Sequence, residues 1–353
     1  MARILCALSG GVDSSVAALT LQEAGHELRG IFMRNGVGGA AEPGPEGQDA
    51  CCSAAEAEDA ARIAERLGIP FYAVDFGEEF GGIIDGFVGE YKAGRTPSPC
   101  VLCNQNLKFG QIFDFAEKLG CDLVATGHYA RVQDGALFRG LDRGKDQSYF
   151  LFGIGRQQLA RAVFPLGAMS KTEVRERARA AGFFVADKPE SMELCFVPGG
   201  DYRELVRERA GLTPGRFVDA QGKELGRHDG YEGYTVGQRR GLPALGTPHY
   251  VLEIRPEQAE VVLGARAQLA RSQARVAQLH WLIDAPRDGE VLEVELQIRA
   301  RHRAAPAKLR VEGEGPGAVV HAVFDQAQDA IAPGQAAVFY DGDQVLGGGW
   351  LQY

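Results

Sequence analysis

The sequence predicts an α/β fold, in which a doubly wound parallel sheet precedes a small α+β domain and a C-terminal β-barrel. Apolar strand patterns alternate with helical patterns up to about residue 127, which is typical of a parallel sheet that binds ligands at the carboxyl ends of its strands. From residue 200 the pattern changes to short strands and turns. Beyond residue 270 nearly every segment has a strand pattern, which indicates a small closed barrel. We therefore expect domains at residues 1–200, 201–268 and 269–353.

The first domain opens with a strand, a tight turn and a helix. An apolar run over residues 4–8 stops at a Ser-Gly-Gly turn, and a helical pattern follows to Gly25. Two adjacent glycines allow positive φ and a close approach of the backbone to a ligand. Asp13, Ser14 and Ser15 are placed to cap the first helical turn. Such a turn presents N–H groups and the positive end of a helix dipole to one point, which favours an anion such as phosphate.

The turn does not match the common phosphate-binding motifs. It lacks the pattern G-x-x-x-x-G-K-S/T, it is not G-x-G-x-x-G, and no lysine follows its glycines. The segment SGGVDSS does resemble the PP-loop of the ATP pyrophosphatases, which split ATP between its α and β phosphates and use AMP to activate an oxygen. A glycine-rich turn in an ordinary α/β domain is the alternative, because short motifs give false positives.

The later segments of the first domain continue the alternation. Strands are predicted at residues 26–33, 71–76 and 122–126, and helices at residues 53–67, 78–91 and 106–119. A mobile loop is expected at residues 34–48, a hairpin at residues 130–139, and a helix opened by a capping box at Ser170. The carboxyl edge of this sheet should carry Ser9, Met33, Cys103 and Gly127.

Composition bounds the class of protein. The 353 residues are 45% hydrophobic and 24% charged, which is usual for a globular protein. No apolar run is long enough to span a membrane, and the first residues have a strand pattern unlike that of a signal peptide, so we expect a cytoplasmic protein with no membrane partner. Because the net charge is −9, a nucleic-acid partner would have to bind a local basic patch.

Seven cysteines without a regular framework point to thiol chemistry or metal binding before structural disulfides. Cys100 and Cys103 form a C-x-x-C pair before a predicted helix, where a helix N-terminus lowers a thiol pKa. A redox pair, half of a metal site and a nucleophile all remain open, although four-cysteine zinc would need a second C-x-x-C. Cys195, between apolar residues, is interpreted on its own as a buried structural cysteine. Cys6 and Cys121 are assigned to the core, and Cys51 and Cys52 are left undecided.

The order of motifs is more specific than any one of them. Along essentially the whole chain run SGGVDSS, FMRN, GRTPSPCVLCN, ATGHYA, KDQSYFL, LCFVPGGDY, YTVGQRRGL, APGQAAVFYDG and LGGG. Together they resemble the tRNA-specific 2-thiouridylase family. The resemblance implies an enzyme that uses ATP to adenylate the 2-oxygen of a wobble uridine in tRNA and replaces that oxygen with sulfur. It also implies Mg²⁺ as a cofactor, with Asp13 as its partner, and a sulfur donor such as a cysteine desulfurase or a sulfur-relay protein.

The resemblance also assigns residues to the nucleotide. The segment from Ala7 to Ser14 would bind ATP, with Met33 beside the adenine and Gly127 further along the chain. These residues are Ala7, Leu8, Ser9, Gly10, Gly11, Val12, Asp13, Ser14, Met33 and Gly127.

By the same match, Cys195 would carry sulfur as a persulfide and Cys103 would be the second catalytic thiol. Ser98, Pro99 and Cys100 would meet the target base, although well-known family members have aspartate where this chain has Cys100. That substitution creates three thiols, Cys100, Cys103 and Cys195, which could instead hold a 4Fe–4S cluster with an open iron. The persulfide and cluster routes both remain open.

The resemblance places a tRNA contact at Lys145, Asp146 and Gln147 in a loop. A local row of cations in a chain of net charge −9 indicates a second contact at Arg299, Ala300 and Arg301 in the barrel. A basic cluster surrounds the second region, and strand alternation predicts that Arg299, Arg301 and Arg303 share one strand face. The full cluster is Arg299, Arg301, His302, Arg303, Lys308 and Arg310. A solvated edge strand protected by cations is the alternative interpretation.

Two other functions remain as alternatives. A PP-loop synthetase or amidotransferase that adenylates a small carboxylate explains the glycine turn but gives the cysteines no role. An ATP-gated tRNA-binding protein without catalysis explains the barrel but not Cys103 and Cys195. Of the three functions, only a thiouridylase predicts that a deletion strain loses 2-thiouridine from its tRNA.

Overall fold

The computed structural model describes residues 1–36, 54–189, 194–197 and 200–353. The predicted loop at residues 34–48 lies, from residue 37 onward, outside the described residues, as do Cys51 and Cys52. Within the described ranges, no helix is long and apolar enough to cross a membrane. The chain forms two compact units. The first comprises Met1–Ile84, Cys100–Gly200 and Asp343–Val345, and the second comprises Asp85–Pro99, Asp201–Gly342 and Leu346–Tyr353.

The first unit is built on the predicted parallel sheet. Its strands are β1 (Arg3–Ala7), β2 (Glu27–Arg34), β3 (Phe71–Asp75), β4 (Leu123–Ala125), the hairpin strands β5 (Ala130–Gln133) and β6 (Ala136–Arg139), and β7 (Ala162–Val163). Five of them form an all-parallel sheet in the order β3-β2-β1-β4-β7. The chain winds outward from β1 to β3 and then returns to β4 on the other side of β1. The winding therefore reverses between β1 and β4, where sheets of this type bind ligands.

Helices alternate with these strands along the chain. They are α1 (Val12–Glu23), α2 (Ala54–Leu67), α3 (Gly77–Lys92), α4 (Pro99–Leu102), a π-helix (Cys103–Gln111), α5 (Ile112–Lys118), α6 (Arg156–Leu159) and α7 (Lys171–Ala180). Ile4 of β1, Val16 of α1 and Ile63 of α2 are at most 1% exposed and lie in one core cluster. The two predicted local features are confirmed, because Asp134 and Gly135 turn the hairpin with φ of 50° and 76° and Ser170 forms a capping box with Glu173.

The helix expected at residues 106–119 begins earlier than predicted. Helical structure starts at Pro99 and continues through the π-helix into α5. Proline suits the first helical position, because its missing N–H would have no partner there and its φ is already helical. Cys100 therefore lies in the first helical turn, and Cys103 is the first residue of the π-helix.

The second unit contains a small α+β region and a closed barrel. The first region has helix α8 (Tyr202–Ala210) and strands β8 (Gly215–Val218), β9 (Glu224–His228), β10 (Tyr250–Arg255) and β11 (Glu260–Gly264), in the order β10-β11-β8-β9. The barrel strands are β12 (Ala270–Trp281), β13 (Val291–Gln297), β14 (Ala305–Glu312), β15 (Val319–Asp329), β16 (Ala336–Asp341) and β17 (Gln344–Gln352). Their order is β12-β15-β14-β13-β16-β17, and β12 pairs with β17 to close the barrel. The predicted fold class is confirmed.

Glycines in β17 allow this closure. A Cβ atom at Gly347 would lie 2.3 Å from the carbonyl oxygen of His280, and one at Gly349 would lie 2.6 Å from that of Ala277. Both carbonyl groups belong to β12. The C-terminal glycines therefore let two strand backbones approach closely and do not form a phosphate loop.

Candidate nucleotide and thiol site

The glycine turn leaves the start of α1 without a side-chain cap. Gly11 is the N-cap residue, and no side chain accepts a hydrogen bond from the first turn there. Ser14 Oγ instead accepts from the Ser9 N–H at 3.0 Å and donates to the carbonyl oxygen of Gly11 at 3.1 Å, and Ser15 Oγ donates to the same oxygen at 2.9 Å. The expectation that these serines cap α1 was wrong. The positive end of the helix is therefore available to an anion.

Two glycines bring neighbouring elements against the turn. Gly10 has a φ of +71°, and a Cβ atom there would lie 2.5 Å from the carbonyl oxygen of Glu56 in α2. A Cβ atom at Gly127, just beyond β4, would lie 2.8 Å from the backbone nitrogen of Ser14. The end of β4 thus meets the start of α1, as the sequence predicts. That Gly127 contacts ATP stays a prediction.

The other nucleotide residues can contribute mainly through the backbone. Leu8 and Val12 are 3% and 5% exposed, because their side chains pack into the core. Met33 lies near the carboxyl end of β2, paired with Val74 of β3, and its side chain is partly buried. The structure therefore brings Met33 and the turn to the same edge of the sheet, which is where the sequence predicts an adenine nucleotide.

Asp13 is already paired with a lysine. Lys171 Nζ lies 2.7 and 2.8 Å from the two carboxylate oxygens of Asp13, and the hydroxyl group of Tyr129 donates to one of them at 2.8 Å. Lys171 is the first residue of α7, directly after the Ser170 cap, and its side chain is 12% exposed. Sequence reasoning missed both Lys171 and Tyr129. The lysine stands within a recognisable capping box, but no local pattern shows that it faces the turn.

This pairing bears on the predicted magnesium site. Carboxylate oxygens are suitable ligands for Mg²⁺, so Asp13 fits the expected donor type. The position between its two oxygens is taken by the Lys171 ammonium group. Mg²⁺ at Asp13 would therefore require Lys171 to move to another anion, such as a nucleotide phosphate.

A second lysine contacts the turn itself. Lys188 Nζ is 2.9 Å from Asp59 Oδ2, 3.4 Å from the carbonyl oxygen of Gly10 and 3.6 Å from Glu56 Oε1. Burial disfavours its charged form, but the hydrogen bond to Asp59 and the charge of Glu56 outweigh this effect and raise the pKa of Lys188. Lys188 therefore stays protonated beside the turn. Sequence reasoning missed it as well.

The five described cysteines differ in exposure. Cys6 and Cys121 are 2% and 4% exposed, which confirms their assignment to the core. Burial, together with the nearby Cys121, raises the pKa of Cys6 to about 12, so its thiol is unreactive. Cys103 and Cys195 are partly buried and Cys100 is exposed. These three residues all belong to the first unit.

One hydrogen bond fixes the residue after Cys103, and another forms a turn that contains Cys195. Asn104, 4% exposed, donates from Nδ2 to the carbonyl oxygen of Phe150 at 3.2 Å, which fixes the start of the π-helix. The Val197 N–H donates to the carbonyl oxygen of Leu194 at 3.0 Å, so Cys195 lies in a turn. π-Helical turns are frequent at functional sites, and one begins at the thiol for which the sequence predicts catalysis.

An iron–sulfur cluster does not fit the described residues as they stand. Across residues 1–36, 54–189, 194–197 and 200–353, no three His, Cys, Asp or Glu side chains are arranged to hold a metal ion. Cys100, Cys103 and Cys195 therefore form no ready-made cluster site.

His128 is a structural residue in this arrangement. Its Nδ1 lies 2.6 Å from Thr126 Oγ1, and its ring packs against those of Phe109 and Phe164, with centroids 6.0 and 6.1 Å away. Burial, together with the charge of Lys108, holds the pKa of His128 well below 6.5. The ring is therefore neutral at physiological pH.

Within the second unit, the residues before Cys100 are bound to the barrel. Ser98 is 9% exposed, and its Oγ accepts a hydrogen bond from the Ala336 N–H at 3.3 Å. Gln335 Nε2 donates to the carbonyl oxygens of Thr96 and Pro97 at 3.1 and 2.9 Å. The backbone before Pro99 is therefore well fixed, and its contact with the target base stays a prediction.

The loop predicted to meet tRNA is partly folded inward. Asp146 Oδ1 accepts hydrogen bonds from the N–H groups of Gly140 and Ser148 at 2.9 and 3.1 Å. Gln147 Oε1 accepts from the N–H of Tyr129 at 3.0 Å. Two of the three side chains in the Lys145 to Gln147 loop thus shape the loop itself, and the tRNA contact stays a prediction.

The arginines of the barrel are not on one strand face, which corrects the prediction from alternation. β13 ends at Gln297, and Gln297 Nε2 donates to the carbonyl oxygens of Arg299 and Ala300 at 3.2 and 3.0 Å. These bonds stabilise a turn, so Arg299, Arg301 and Arg303 lie in a loop. Lys308 and Arg310 of the cluster do share the exposed face of β14.

Three family models match the chain in series. Their descriptions are tRNA methyl transferase HUP domain over residues 2–199, tRNA methyl transferase PRC-barrel domain over residues 203–265, and Aminomethyltransferase beta-barrel domain over residues 271–351.

Close relatives extend over nearly the full length. A tRNA-specific 2-thiouridylase MnmA of Geobacter metallireducens is 48% identical over 99% of this chain and 96% of that protein. One of Rhodopirellula baltica is 42% identical over 100% of this chain and 97% of that protein. This chain belongs to the tRNA-specific 2-thiouridylase family.

Membership of the tRNA-specific 2-thiouridylase family confirms the resemblance that the motif order predicts, and it favours this enzyme class over both alternatives. A solved 4-thiouridine synthetase in complex with RNA and bound ATP is 17% identical, with a TM-score of 0.35 over 59% of this chain and 50% of that chain. That structural likeness is too slight to support an argument.

Proposed function

We propose that this chain is an ATP-dependent thiouridylase that replaces the 2-oxygen of the wobble uridine of tRNA with sulfur. The observation that carries the proposal is the alignment of 99% of the chain with a protein of that name at 48% identity. The geometry of the first unit supports it, because a helix start suited to phosphate and two partly buried thiols belong to one compact unit.

The first step is adenylation. The uracil 2-oxygen attacks the α-phosphorus of ATP, a new P–O bond forms, and the bond to the β-phosphate breaks to release pyrophosphate. The uncapped N–H groups at the start of α1 bind phosphate oxygens, and Lys171 transfers from Asp13 to the charge that develops on the leaving group. When bound, Mg²⁺ supplies further neutralisation of pyrophosphate, and Asp13 would hold it.

The second step is sulfur transfer, for which we propose the persulfide route. The terminal sulfur of a Cys195 persulfide attacks C2 of the adenylated base, the C–S bond forms and AMP leaves. The Cys103 thiolate then attacks the Cys195 sulfur, so the S–S bond to the transferred sulfur breaks and a Cys103–Cys195 disulfide forms. A thiol reductant restores both cysteines, and a cysteine desulfurase or sulfur-relay protein reloads Cys195.

The remaining residue assignments belong to the same proposal. Ser98, Pro99 and Cys100 contact the target base, and the tRNA contacts are Lys145, Asp146, Gln147, Arg299, Ala300 and Arg301. The catalytic, central and barrel domains span residues 1–200, 201–268 and 269–353. The enzyme acts in the cytoplasm, where its tRNA substrate is.

Cysteine substitution tests the proposal. In a strain that lacks its own 2-thiouridylase, the unaltered chain should restore 2-thiouridine in tRNA, measured by mass spectrometry of nucleosides. Cys103→Ser and Cys195→Ser should each abolish it and leave ATP binding intact. Cys121→Ala, at a core position, is the matched control and should retain thiolation. Residual thiolation above about a tenth of the unaltered level in either catalytic variant would contradict these roles.

Metal analysis separates the two sulfur routes. The chain is purified without oxygen and assayed for iron, sulfide and thiolation. Iron-free protein with full activity supports the persulfide route. Activity that requires about four iron atoms per chain would replace it with the cluster route.

A further inference from the structure

A single aspartate organises the loop at residues 140–147. Asp142 Oδ1 accepts a hydrogen bond from the Gly144 N–H at 3.0 Å, and the Asp142 carbonyl oxygen accepts one from the Lys145 N–H at 3.0 Å. These bonds close a tight turn that ends at Lys145, the first residue predicted to contact tRNA in this loop. The other carboxylate oxygen, Oδ2, accepts from the backbone N–H of Lys171 at 3.0 Å, 29 positions further along the chain. One carboxylate therefore joins the tRNA loop to the start of α7.

The bond to Lys171 is additional to the cap of α7. Ser170 Oγ accepts from the Glu173 N–H at 3.3 Å, and Glu173 Oε2 accepts from the Ser170 N–H at 2.6 Å. These two residues complete the capping box without Asp142, so α7 should still begin at Lys171 when Asp142 is replaced. The Asp142 bond instead fixes the backbone from which the Lys171 side chain extends.

Lys171 is thus held at both ends. Its N–H is bound by Asp142, and its ammonium group lies 2.7 and 2.8 Å from the two carboxylate oxygens of Asp13. The side chain between these ends is 12% exposed. A lysine side chain has many rotamers to lose, and a fixed backbone limits the directions in which the ammonium group can point. Asp142 therefore helps, by a direct contact, to aim Lys171 at the nucleotide turn.

The same loop also holds Tyr129, the other group bound to Asp13. The Gln147 N–H donates to the carbonyl oxygen of Tyr129 at 2.9 Å, and Gln147 Oε1 accepts from the Tyr129 N–H at 3.0 Å. A Cβ atom at Gly140 would lie 2.8 Å from that carbonyl oxygen. Tyr129 is 3% exposed, and its hydroxyl group donates to Asp13. Both partners of Asp13 therefore have their backbones bonded to residues 140–147.

We propose that Asp142 is a positioning residue that aims Lys171 at the nucleotide turn from one carboxylate oxygen and shapes the tRNA-binding turn from the other. The proposal rests on the proposed function, because it needs Lys171 to stabilise the leaving pyrophosphate and Lys145 to contact tRNA. Each contact that it uses is a direct hydrogen bond within the first unit. The tRNA contact and the nucleotide lysine thus share one hydrogen-bonded loop, and one side chain serves both substrates.

An aspartate that only stabilised the fold would act differently. Negative charge near a helix N-terminus is favourable in itself, so the loss of such a residue would lower stability and leave the kinetic constants of the folded enzyme unchanged. A positioning residue changes those constants in a folded protein, and its effect on catalysis disappears once the group that it positions is removed. A double-mutant cycle with Lys171 therefore separates the two roles.

The test compares five full-length variants with the unaltered chain. Asp142→Ala removes both carboxylate bonds. Asp142→Asn keeps an acceptor for the Gly144 N–H, in a turn that asparagine favours, but presents an amino group to the Lys171 N–H. Lys171→Met and Asp142→Ala/Lys171→Met complete the cycle. Asp134→Asn, in the exposed turn of the β5–β6 hairpin, is the control with the same loss of charge.

Two constants are measured for each variant, kcat and the KM for tRNA, both from pyrophosphate release at saturating ATP. Far-UV circular dichroism checks that each variant is folded. Asp142→Ala should lower kcat at least about tenfold, because a small misplacement of a catalytic group costs this much. It should also raise the KM for tRNA about two- to fivefold, the range for one exposed ion pair, because Lys145 would bind phosphate less well.

The other variants should separate these effects. Asp142→Asn should lower kcat and leave the KM for tRNA close to that of the unaltered chain. In the Lys171→Met background, Asp142→Ala should change kcat by less than about twofold. Asp134→Asn should match the unaltered chain in both constants.

Three results would overturn the positioning of Lys171. One is a normal kcat in folded Asp142→Ala protein or, where that variant does not fold, in Asp142→Asn. Another is an equal fall in kcat when Asp142→Ala is added to Lys171→Met, which would make its effect independent of the lysine. The last is an unchanged kcat in Lys171→Met itself, since Asp142 would then position no catalytic group.

Two further results bear on the tRNA side and on the enzyme as a whole. A KM for tRNA that Asp142→Ala leaves unchanged would contradict the part of Asp142 in the tRNA-binding turn. Absence of tRNA-dependent pyrophosphate release from the unaltered chain would instead contradict the proposed function.

Discussion

At the residue scale, the charges around the glycine turn decide which groups can act on a nucleotide. Asp13 has no spare position between its oxygens, because Lys171 and Tyr129 both bind its carboxylate. The pair is partly buried, with side chains 12% exposed for Lys171 and 33% for Asp13. Anionic phosphates at the start of α1 would compete with Asp13 for the Lys171 ammonium group. Lys171 is therefore suited to move from Asp13 to the pyrophosphate as it leaves.

Replacement of Lys171 tests this role. Lys171→Met should reduce tRNA-dependent pyrophosphate release about 100-fold, the usual cost of removing one group that stabilises a developing charge. Lys171→Arg keeps the charge and should retain much of the activity. The measurement is the rate of pyrophosphate release at saturating ATP. A Lys171→Met enzyme that releases pyrophosphate at the normal rate would show that the lysine only neutralises Asp13.

At the scale of single elements, the ends of helices and strands set where the functional groups lie. Helical structure begins at Pro99 and becomes a π-helix at Cys103, so the C-x-x-C pair lies within the helix. In the barrel, β13 stops at Gln297, and the arginines that follow occupy a turn. A loop presents cations to a phosphate backbone with more freedom than a strand, whose neighbouring residues face opposite sides.

The loop arginines provide a test at this scale. Arg299→Gln with Arg301→Gln should weaken tRNA binding and flatten its dependence on salt, by up to about 0.9 in slope for each duplex phosphate that is no longer neutralised. Lys308→Gln with Arg310→Gln, on the exposed face of β14, is the matched control of equal charge. Binding is measured from low to moderate salt. Equal slopes for both double variants would mean that net charge, and not the loop, governs binding.

At the scale of the whole molecule, each unit contains at least one histidine whose protonation is disfavoured by burial. His128 belongs to the first unit, and His228 and His302 belong to the second. His228 is 6% exposed, and its ring packs edge-on against that of Phe217 at 5.1 Å. Burial lowers the pKa of His228 and of His302 below 6.5. Folding therefore excludes protons that the unfolded chain would bind.

The sign of the pH effect follows. The pKa of His228 in the folded chain lies below its unfolded value of 6.5. Its contribution to the free energy of unfolding is therefore fully present above pH 6.5 and is lost as the pH falls toward the folded pKa. His228→Phe should make the stability of the second unit less sensitive to pH below 6.5. Both tryptophans, Trp281 and Trp350, lie in that unit, so urea unfolding followed by tryptophan fluorescence reports on it. An unchanged pH slope would contradict the assignment.

The sequence by itself determined the alternation of strands and helices, the glycine turn, the hairpin at residues 130–139, the capping box at Ser170 and the succession of strands beyond residue 270. Each depends on residues a few positions apart, and the order of motifs was enough to indicate the family. The tertiary structure alone decided that Lys171 pairs with Asp13 and that Lys188 reaches Gly10, across 158 and 178 positions. It also decided where β13 ends, because the Gln297 side chain selects a turn there over a longer strand. Such contacts form between residues that only the folded chain brings together, and no local pattern encodes them.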